Sequence, residues 1–169
     1  MHAPPERGAK ERAMTDPEPQ ESTKPSKVLV VDDNSQNLEL LVEYLHTVEG
    51  VTTSTAFDGV DALEKVALDK PDLILLDIMM PRMSGFEVCR KLKSDPETRD
   101  IPIIMVTALN ELGDIERGVE SGTDDFLTKP VNRLELVTRV KSLLRLRHLK
   151  DELERTLTYL NDVEIEPPQ

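Results

Sequence analysis

Short aliphatic runs alternate along this chain with segments in which apolar residues recur at every third or fourth position. The continuous runs at 28–31, 73–76 and 101–106 are typical of strands buried on both faces, because they contain no polar residue to turn toward water. A β-branched segment at 51–56 and a short run at 126–128 complete the set. The pattern therefore predicts five strands.

Each predicted strand is followed by a segment with helical spacing. These segments lie at 38–45, 60–67, 86–92, 111–121 and 133–160. The fourth is polar and weak, whereas the last is unusually long. Alternating strands and helices indicate βαβ units, in which helices cover both faces of a parallel sheet. Because the crossovers are right-handed, five units predict a doubly wound α/β fold.

The chain divides into three predicted parts. Residues 1–26 contain five prolines and many charges of both signs, so they cannot bury enough apolar surface to offset the entropy of ordering, and we expect a disordered tail. Residues 27–147 hold the alternating pattern and form the folded domain. Residues 148–169 continue the last helix and end in a frayed tail.

Composition narrows the possible functions. The net charge is −12 and the pI about 4.7, which argues against nucleic-acid binding because phosphate contacts need clustered Lys and Arg. The lone cysteine, Cys89, cannot form an intrachain disulfide and lies in a helical pattern as a small core residue. No apolar run approaches the roughly 20 residues of a membrane span. We expect a soluble, cytoplasmic protein.

Polar residues follow the apolar runs where the predicted strands end. They are Asp32, Asp33, Asp77, Thr107 and Lys129. An aspartate after a strand is usually a turn or helix-capping residue, and each residue alone would be read as structural. In doubly wound sheets, however, the carboxyl ends of the strands form the functional site. The five together therefore predict one site at that edge.

The chemistry of this set points to phosphoryl transfer. Three clustered carboxylates repel one another, and Mg²⁺, which prefers oxygen ligands, relieves that repulsion. Asp77 stands alone after its run and is the predicted nucleophile, while Asp32 and Asp33 are placed as metal ligands. Lys129 and the hydroxyl of Thr107 can stabilise charge on the phosphoryl oxygens.

Four segments resemble the signature blocks of response-regulator receiver domains of two-component systems. They are 27–34 (KVLVVDDN), 72–85 (DLILLDIMMPRMSG), 101–108 (IPIIMVTA) and 122–130 (GTDDFLTKP). The resemblance spans roughly residues 26–147, in order and with family-like spacing. It implies a flavodoxin-like (βα)5 fold and a phosphoryl group received from a histidine kinase or phosphotransfer protein.

The resemblance also assigns roles within the site. It implies that Asp77 is the phosphoacceptor, that Lys129 binds the phosphate, and that Thr107 and Phe126 form the family's switch pair. The implied Mg²⁺ ligands are Asp32, Asp33, Asp77 and the backbone carbonyl of Met79. A cis peptide is expected between Lys129 and Pro130. Phe126 lacks the hydroxyl of the commoner tyrosine. An aromatic residue in a short strand is more often a core residue than a switch, but the resemblance favours the switch role here.

The last helix carries an apolar stripe beyond the predicted domain. Leu146, Leu149, Leu153 and Leu160 follow heptad spacing, with Thr156 at the intervening position. A parallel coiled coil with a second copy would cover this stripe. The alternative is a helix that folds back on its own domain or frays. The basic residues near 139–150 are interpreted as a solvated helix face, so we expect no direct DNA binding.

Three functions remain open at this point. The first is a stand-alone receiver with a dimerising tail, which is no enzyme beyond its own phosphotransfer and autodephosphorylation. The second is the regulatory fragment of a larger enzyme, such as a cyclic-dinucleotide cyclase, a phosphodiesterase or a hybrid kinase. The third is a haloacid-type phosphatase, which needs a second Asp two residues after the nucleophile. Position 79 is Met, which argues against the third.

Overall fold

Five strands alternate with five helices in the computed structural model, which describes residues 24–108 and 112–164. The elements, in chain order, are β1 (Ser26–Val31), α1 (Ser35–His46), β2 (Val51–Ala56), α2 (Gly59–Leu68), β3 (Leu73–Asp77), α3 (Gly85–Ser94), β4 (Ile103–Thr107), α4 (Leu112–Ser121), β5 (Asp125–Thr128) and α5 (Arg133–Glu164).

The strands form one parallel sheet in the order β2-β1-β3-β4-β5. β1 lies between β2 and β3, so the strand order reverses beside it. In open α/β sheets the functional crevice lies at such a reversal, outside the carboxyl ends of the strands. The predicted doubly wound, flavodoxin-like fold is confirmed.

Alternate residues of each central strand enter different cores. In β1, Leu29 and Val31 pack with α2 and α3, whereas Val28 and Val30 pack with α1 and α5. Both faces are covered, so the middle positions of these strands leave no place for a polar residue. This explains the continuous apolar runs in the sequence.

Side-chain caps begin three helices at the carboxyl edge of the sheet. Asn34 Oδ1 accepts from the backbone N–H groups of α1 at 2.9 and 3.2 Å. Asp58 caps α2 by accepting from Asp61 N at 2.7 Å, and the Ser84 hydroxyl caps α3 at 3.3 Å. Each cap satisfies a backbone donor that has no partner within the helix.

The folded domain begins one residue earlier than predicted. β1 begins at Ser26, which was assigned to the tail but donates its N–H to Gly50 O at 2.8 Å and pairs with Val51. Residues 1–23 and 165–169 lie outside the described residues, so the disorder and fraying expected there remain predictions. Cys89 is fully buried, as predicted for a core residue.

Helix α5 first packs on the sheet and then projects beyond it. Leu136, Val140 and Leu144 are buried. Arg147 Nη1 donates to Asp100 O at 2.9 Å, and Lys150 Nζ donates to an Asp100 carboxylate oxygen at 3.2 Å. Residues 152–163 are all exposed, so the helix does not fold back on its own domain. None of the described helices has the length and apolarity needed to cross a membrane.

Candidate functional site

Three carboxylates meet at the carboxyl edge of the sheet. Asp32 and Asp33 follow β1, and Asp77 is the last residue of the neighbouring β3. One oxygen from each lies within 4.8 Å of the other two. Asp32 and Asp77 are buried, whereas Asp33 is exposed at the mouth of the cluster. Sequence reasoning placed these residues together, and the structure brings them together.

Lys129 joins two of these carboxylates. Its Nζ donates to Asp32 Oδ2 at 3.0 Å and to Asp77 Oδ1 at 3.2 Å. The other Asp32 oxygen accepts from Asn34 N at 2.9 Å. The lysine side chain is only 24% exposed, so its charge acts in a partly desolvated site, where electrostatic interactions are strong.

The electrostatics of Asp77 reflect this crowding. Burial, followed by the negative charge of Asp32, raises the pKa of the Asp77 carboxyl from 3.8 to about 6, although Lys129 pulls it down. Burial also lowers the pKa of Lys129, but its hydrogen bond to Asp32 and the nearby negative charges hold that pKa above its usual 10.5. At neutral pH, which lies above the pKa of Asp77, the Asp77 carboxyl is mostly ionised, and Lys129 offsets only part of the effect of burial and of the neighbouring charge.

Gly85 allows the turn after Asp77 to close tightly. Its N–H donates to Ile78 O at 2.9 Å. A Cβ at this position would lie 2.3 Å from Asp77 O and 2.9 Å from Ile78 Cα. Only glycine can approach the backbone this closely. Sequence reasoning missed this role, and the signal for it was a glycine at the end of the segment 72–85, just before the predicted third helix.

Thr107 and Lys129 are linked through the backbone of the last two strands. Thr107 ends β4, is 3% exposed, and its carbonyl accepts from Lys129 N at 2.8 Å. This bond fixes the start of the lysine side chain at the sheet edge. The peptide bond between Lys129 and Pro130 is cis, as expected.

Phe126 belongs to β5, and its side chain lies between this strand and α4. The side chain is partly buried and packs against the core that contains Met105, its partner in the sheet register. Its ring fits against Gly118, where an added Cβ would lie 2.1 Å from the ring. An aromatic ring without a hydroxyl can occupy this apolar place without leaving a polar group unsatisfied.

A groove of about 470 Å³ runs from the carboxylates toward α4. Its lining includes Asp33, Met79, Met80, Pro81, Ser84, Phe86, Asp114 and Arg117. The Met79 side chain is 62% exposed beside the site. The Arg117 guanidinium lies 4.4 Å from the centre of the Phe86 ring, a cation–π contact that ties α4 to α3.

The geometry agrees with what comparison with known proteins shows. The family model described as the response regulator receiver domain matches residues 28–141. The chain belongs to this family. Accepting a phosphoryl group and binding Mg²⁺ are general properties of receiver domains. The fold and receiver function expected from the sequence are confirmed.

Similar proteins share the receiver but extend beyond it. Response regulator PleD of Caulobacter vibrioides is 52% identical over 130 residues, which are 77% of this chain and 28% of PleD. Response regulator MprA of Mycobacterium avium is 38% identical over 141 residues, or 83% of this chain and 60% of MprA. The chain thus spans less than two thirds of either relative.

Solved structures support the fold. A crystal structure described as a putative response regulator from Chloroflexus aurantiacus superimposes with a TM-score of 0.69 at 34% identity, covering 72% of this chain and 99% of that one.

Proposed function

We propose that Asp77 accepts a phosphoryl group from a histidine kinase or a phosphotransfer protein. The observation that carries this proposal is the hydrogen bond from Lys129 Nζ to Asp77 Oδ1 within a cluster of three carboxylates. A buried carboxylate beside a fixed ammonium can hold a phosphoryl group, because the ammonium compensates the added negative charge.

The transfer follows from the arrangement of Asp77. An ionised Asp77 oxygen attacks phosphorus, an O–P bond forms, and the P–N bond to the donor histidine breaks. The electron pair of that bond stays on the imidazole nitrogen, which then takes a proton. The product is an acyl phosphate on Asp77. Lys129 donates to one carboxylate oxygen and leaves the other free to attack.

The donor set fits a hard divalent cation. Asp32, Asp33 and Asp77 would hold Mg²⁺, with the backbone carbonyl of Met79 as a further oxygen ligand. When bound, the ion neutralises charge on the phosphoryl oxygens. The exposed Asp33 would hold it at the mouth of the site. Burial raises the pKa of Asp77 first and the negative charge of Asp32 second, and a bound cation would relieve the second of these effects.

The response to phosphorylation is assigned to Thr107 and Phe126. The Thr107 hydroxyl would donate to a phosphoryl oxygen. Phe126 is on the adjacent strand and only partly buried, so its ring can shift inward when Thr107 moves. A shift of the ring would free the space that it fills beside Gly118 and change the packing of α4.

The phosphoacceptor is tested by intact mass after incubation with acetyl phosphate and Mg²⁺. The parent should gain one phosphoryl group, and Asp77→Asn should gain none. Asp69→Asn is the matched control, because Asp69 is exposed and forms a surface ion pair with Lys27, away from the carboxylate cluster. Labelling of Asp77→Asn at the parental level would refute the assignment.

The partner on the output side is proposed to be a second copy of this chain, bound through the seam of α5. We define the seam as Leu146, Leu149, Leu153, Thr156, Leu160 and Val163, which continue one 3-4 spacing. Its apolar members are 50–62% exposed. At about 100° per residue, the seam lies on the opposite side of the helix from Leu144 and Arg147, which face the receiver. A partner helix can therefore reach it without displacing the receiver.

The strength of this pairing can be estimated. Burying the exposed half of each of five apolar side chains gives roughly 1 kcal/mol apiece, or about 10 kcal/mol for two chains. Association costs about 4–15 kcal/mol in lost freedom. The seam should therefore support a modest homodimer that phosphorylation can tune through the part of α5 on the receiver.

The remaining assignments complete the proposal. The receiver extends from Ser26 to about Lys150, which makes the last hydrogen bond from α5 to the receiver among the described residues, and the helical extension follows. We infer no enzymatic activity beyond transfer to Asp77 and hydrolysis of the aspartyl phosphate. The net charge of −12 argues against direct DNA binding. The buried free thiol of Cys89 supports a reducing, cytoplasmic location.

A further inference from the structure

Two apolar side chains on the distal part of α5 lie beside the seam rather than in it. Leu157 is 51% exposed and Tyr159 is 69% exposed. With Leu153 at heptad position a, Leu157 takes position e and Tyr159 takes position g. These positions flank the seam on its two sides. A second helix alone would leave both flanks largely in water.

The flanks are different closer to the receiver. There Lys150 occupies position e and Glu152 position g, and both are exposed. Charged flanks are typical of a helix that pairs with one partner, whereas apolar residues at a and d together with e or g are typical of a helix inside a bundle. The helix therefore changes from a pairing surface near residue 150 to a bundle-forming surface beyond residue 153.

The residue types within the seam also favour an assembly of more than two helices. Every a position is leucine, namely Leu146, Leu153 and Leu160, while β-branched Thr156 and Val163 occupy two of the three d positions. Leucine at a with isoleucine at d favours three or four strands over two, and Thr156 and Val163 share the branching of isoleucine at Cβ. The two observations are independent, because one concerns the flanks and the other the seam.

We propose that two helix-paired dimers join through residues 153–163 to form an assembly of four chains, in which Leu157 and Tyr159 are buried. This inference rests on the self-association through α5 proposed above. The space for it exists, because the last hydrogen bond from α5 to the receiver, among the described residues, is made by Lys150. From there to Val163 the helix extends for about 20 Å, and its residues from 152 onward are all exposed.

Sedimentation equilibrium of the full chain over a concentration series tests the assembly, with and without acetyl phosphate and Mg²⁺. We expect a species of four times 19.0 kDa in at least one of the two states. Leu157→Glu combined with Tyr159→Glu should halve that mass to a dimer. Thr158→Glu combined with Asn161→Glu is the matched control, since it adds the same charge at exposed positions away from the seam and should keep four chains.

The outcomes separate this inference from the proposal beneath it. If the parent protein is a dimer or a trimer in both states, the proposal of four chains is wrong, but self-association through α5 is retained. A monomer in both states overturns both. A tetramer that survives Leu157→Glu with Tyr159→Glu, with helicity by circular dichroism unchanged, shows that the four chains meet elsewhere and also overturns the inference.

Discussion

The ring of Phe126 occupies the space that a side chain at Gly118 would need. A Cβ on Gly118 would lie 2.1 Å from Cζ and 2.4 Å from Cε1 of that ring. Because Gly118 of α4 has no side chain, the ring of Phe126, the proposed switch residue, can pack directly against this helix.

Gly118→Ala should therefore destabilise the protein, by about 1–3 kcal/mol, because the ring or the helix must shift. Urea denaturation measures the change. Gly113→Ala, in the same helix and with no atom within 4 Å of its added Cβ, should instead stabilise by up to about 1 kcal/mol through helix propensity. Equal losses in the two variants would contradict the contact, as would an unchanged loss for Gly118→Ala in a Phe126→Ala background.

The raised pKa of Asp77 predicts a pH dependence of the metal-free protein. Its folded pKa of about 6 lies above the ordinary 3.8, so the unfolded state releases this proton first. The stability linked to the neutral carboxyl is complete below pH 3.8 and is lost as pH rises through 6. In EDTA, Asp77→Asn should thus become more stable relative to the parent by about 1–2 kcal/mol between pH 5 and pH 8. Parallel profiles for the two proteins would count against this.

Mg²⁺ should raise the melting temperature by mass action, since the folded state assembles the ligands and the unfolded state does not. Asp33→Ala should lose most of the gain and still fold, because Asp33 is exposed. Asp69→Ala serves as the control and should keep the gain. An undiminished gain in Asp33→Ala, measured at matched ionic strength, would place the ion elsewhere.

Dephosphorylation should be slow, because the groove beside Asp77 presents the apolar side chain of Met79, which cannot orient an attacking water. The other position that we expect to flank the water, Leu109, lies outside the described residues. Met79→Asn combined with Leu109→Glu should shorten the lifetime of the phosphoryl label several-fold, as followed by intact mass. A lifetime equal to that of the parent would refute the argument.

Truncation after Asp151 should give a monomer that still accepts a phosphoryl group. This end point keeps the bonds of Arg147 and Lys150 to Asp100, which a truncation directly after Arg147 would partly remove. Sedimentation and intact mass report the two properties. A truncated protein that still dimerises would place the interface on the receiver and not on the helix.

The sequence predicted those features that depend on a repeating pattern. The strands through Val30 and Leu75 were recognisable because burial on both faces demands an unbroken apolar run. Asp32, Asp77 and Lys129 were placed together because parallel strands bring their carboxyl ends to one edge. Neither inference needs atomic detail.

Close backbone approaches could not be predicted in this way. The need for glycine at 85 and 118 arises from the Asp77 carbonyl and the Phe126 ring, each of which lies eight residues away along the chain and in a different element or loop. The contact of Lys150 with Asp100 joins residues 50 positions apart, and it extended the receiver-bound part of α5 beyond the end expected at Arg147. Such contacts depend on how elements pack and not on local periodicity.

Because α5 is one continuous helix, a small movement at its base produces a larger movement at its end. The helix is seated on the sheet by Leu136, Val140 and Leu144 and then continues to Glu164 without interruption. The 14 residues after Lys150 extend about 21 Å. A tilt of about 10° at the base would move the far end by roughly 4 Å, which exceeds half the pitch of a helical turn. A small rearrangement of side chains at the sheet would thus be magnified along this lever. The largest displacement would occur at the distal end of α5, where Leu157 and Tyr159 are proposed to contact other chains.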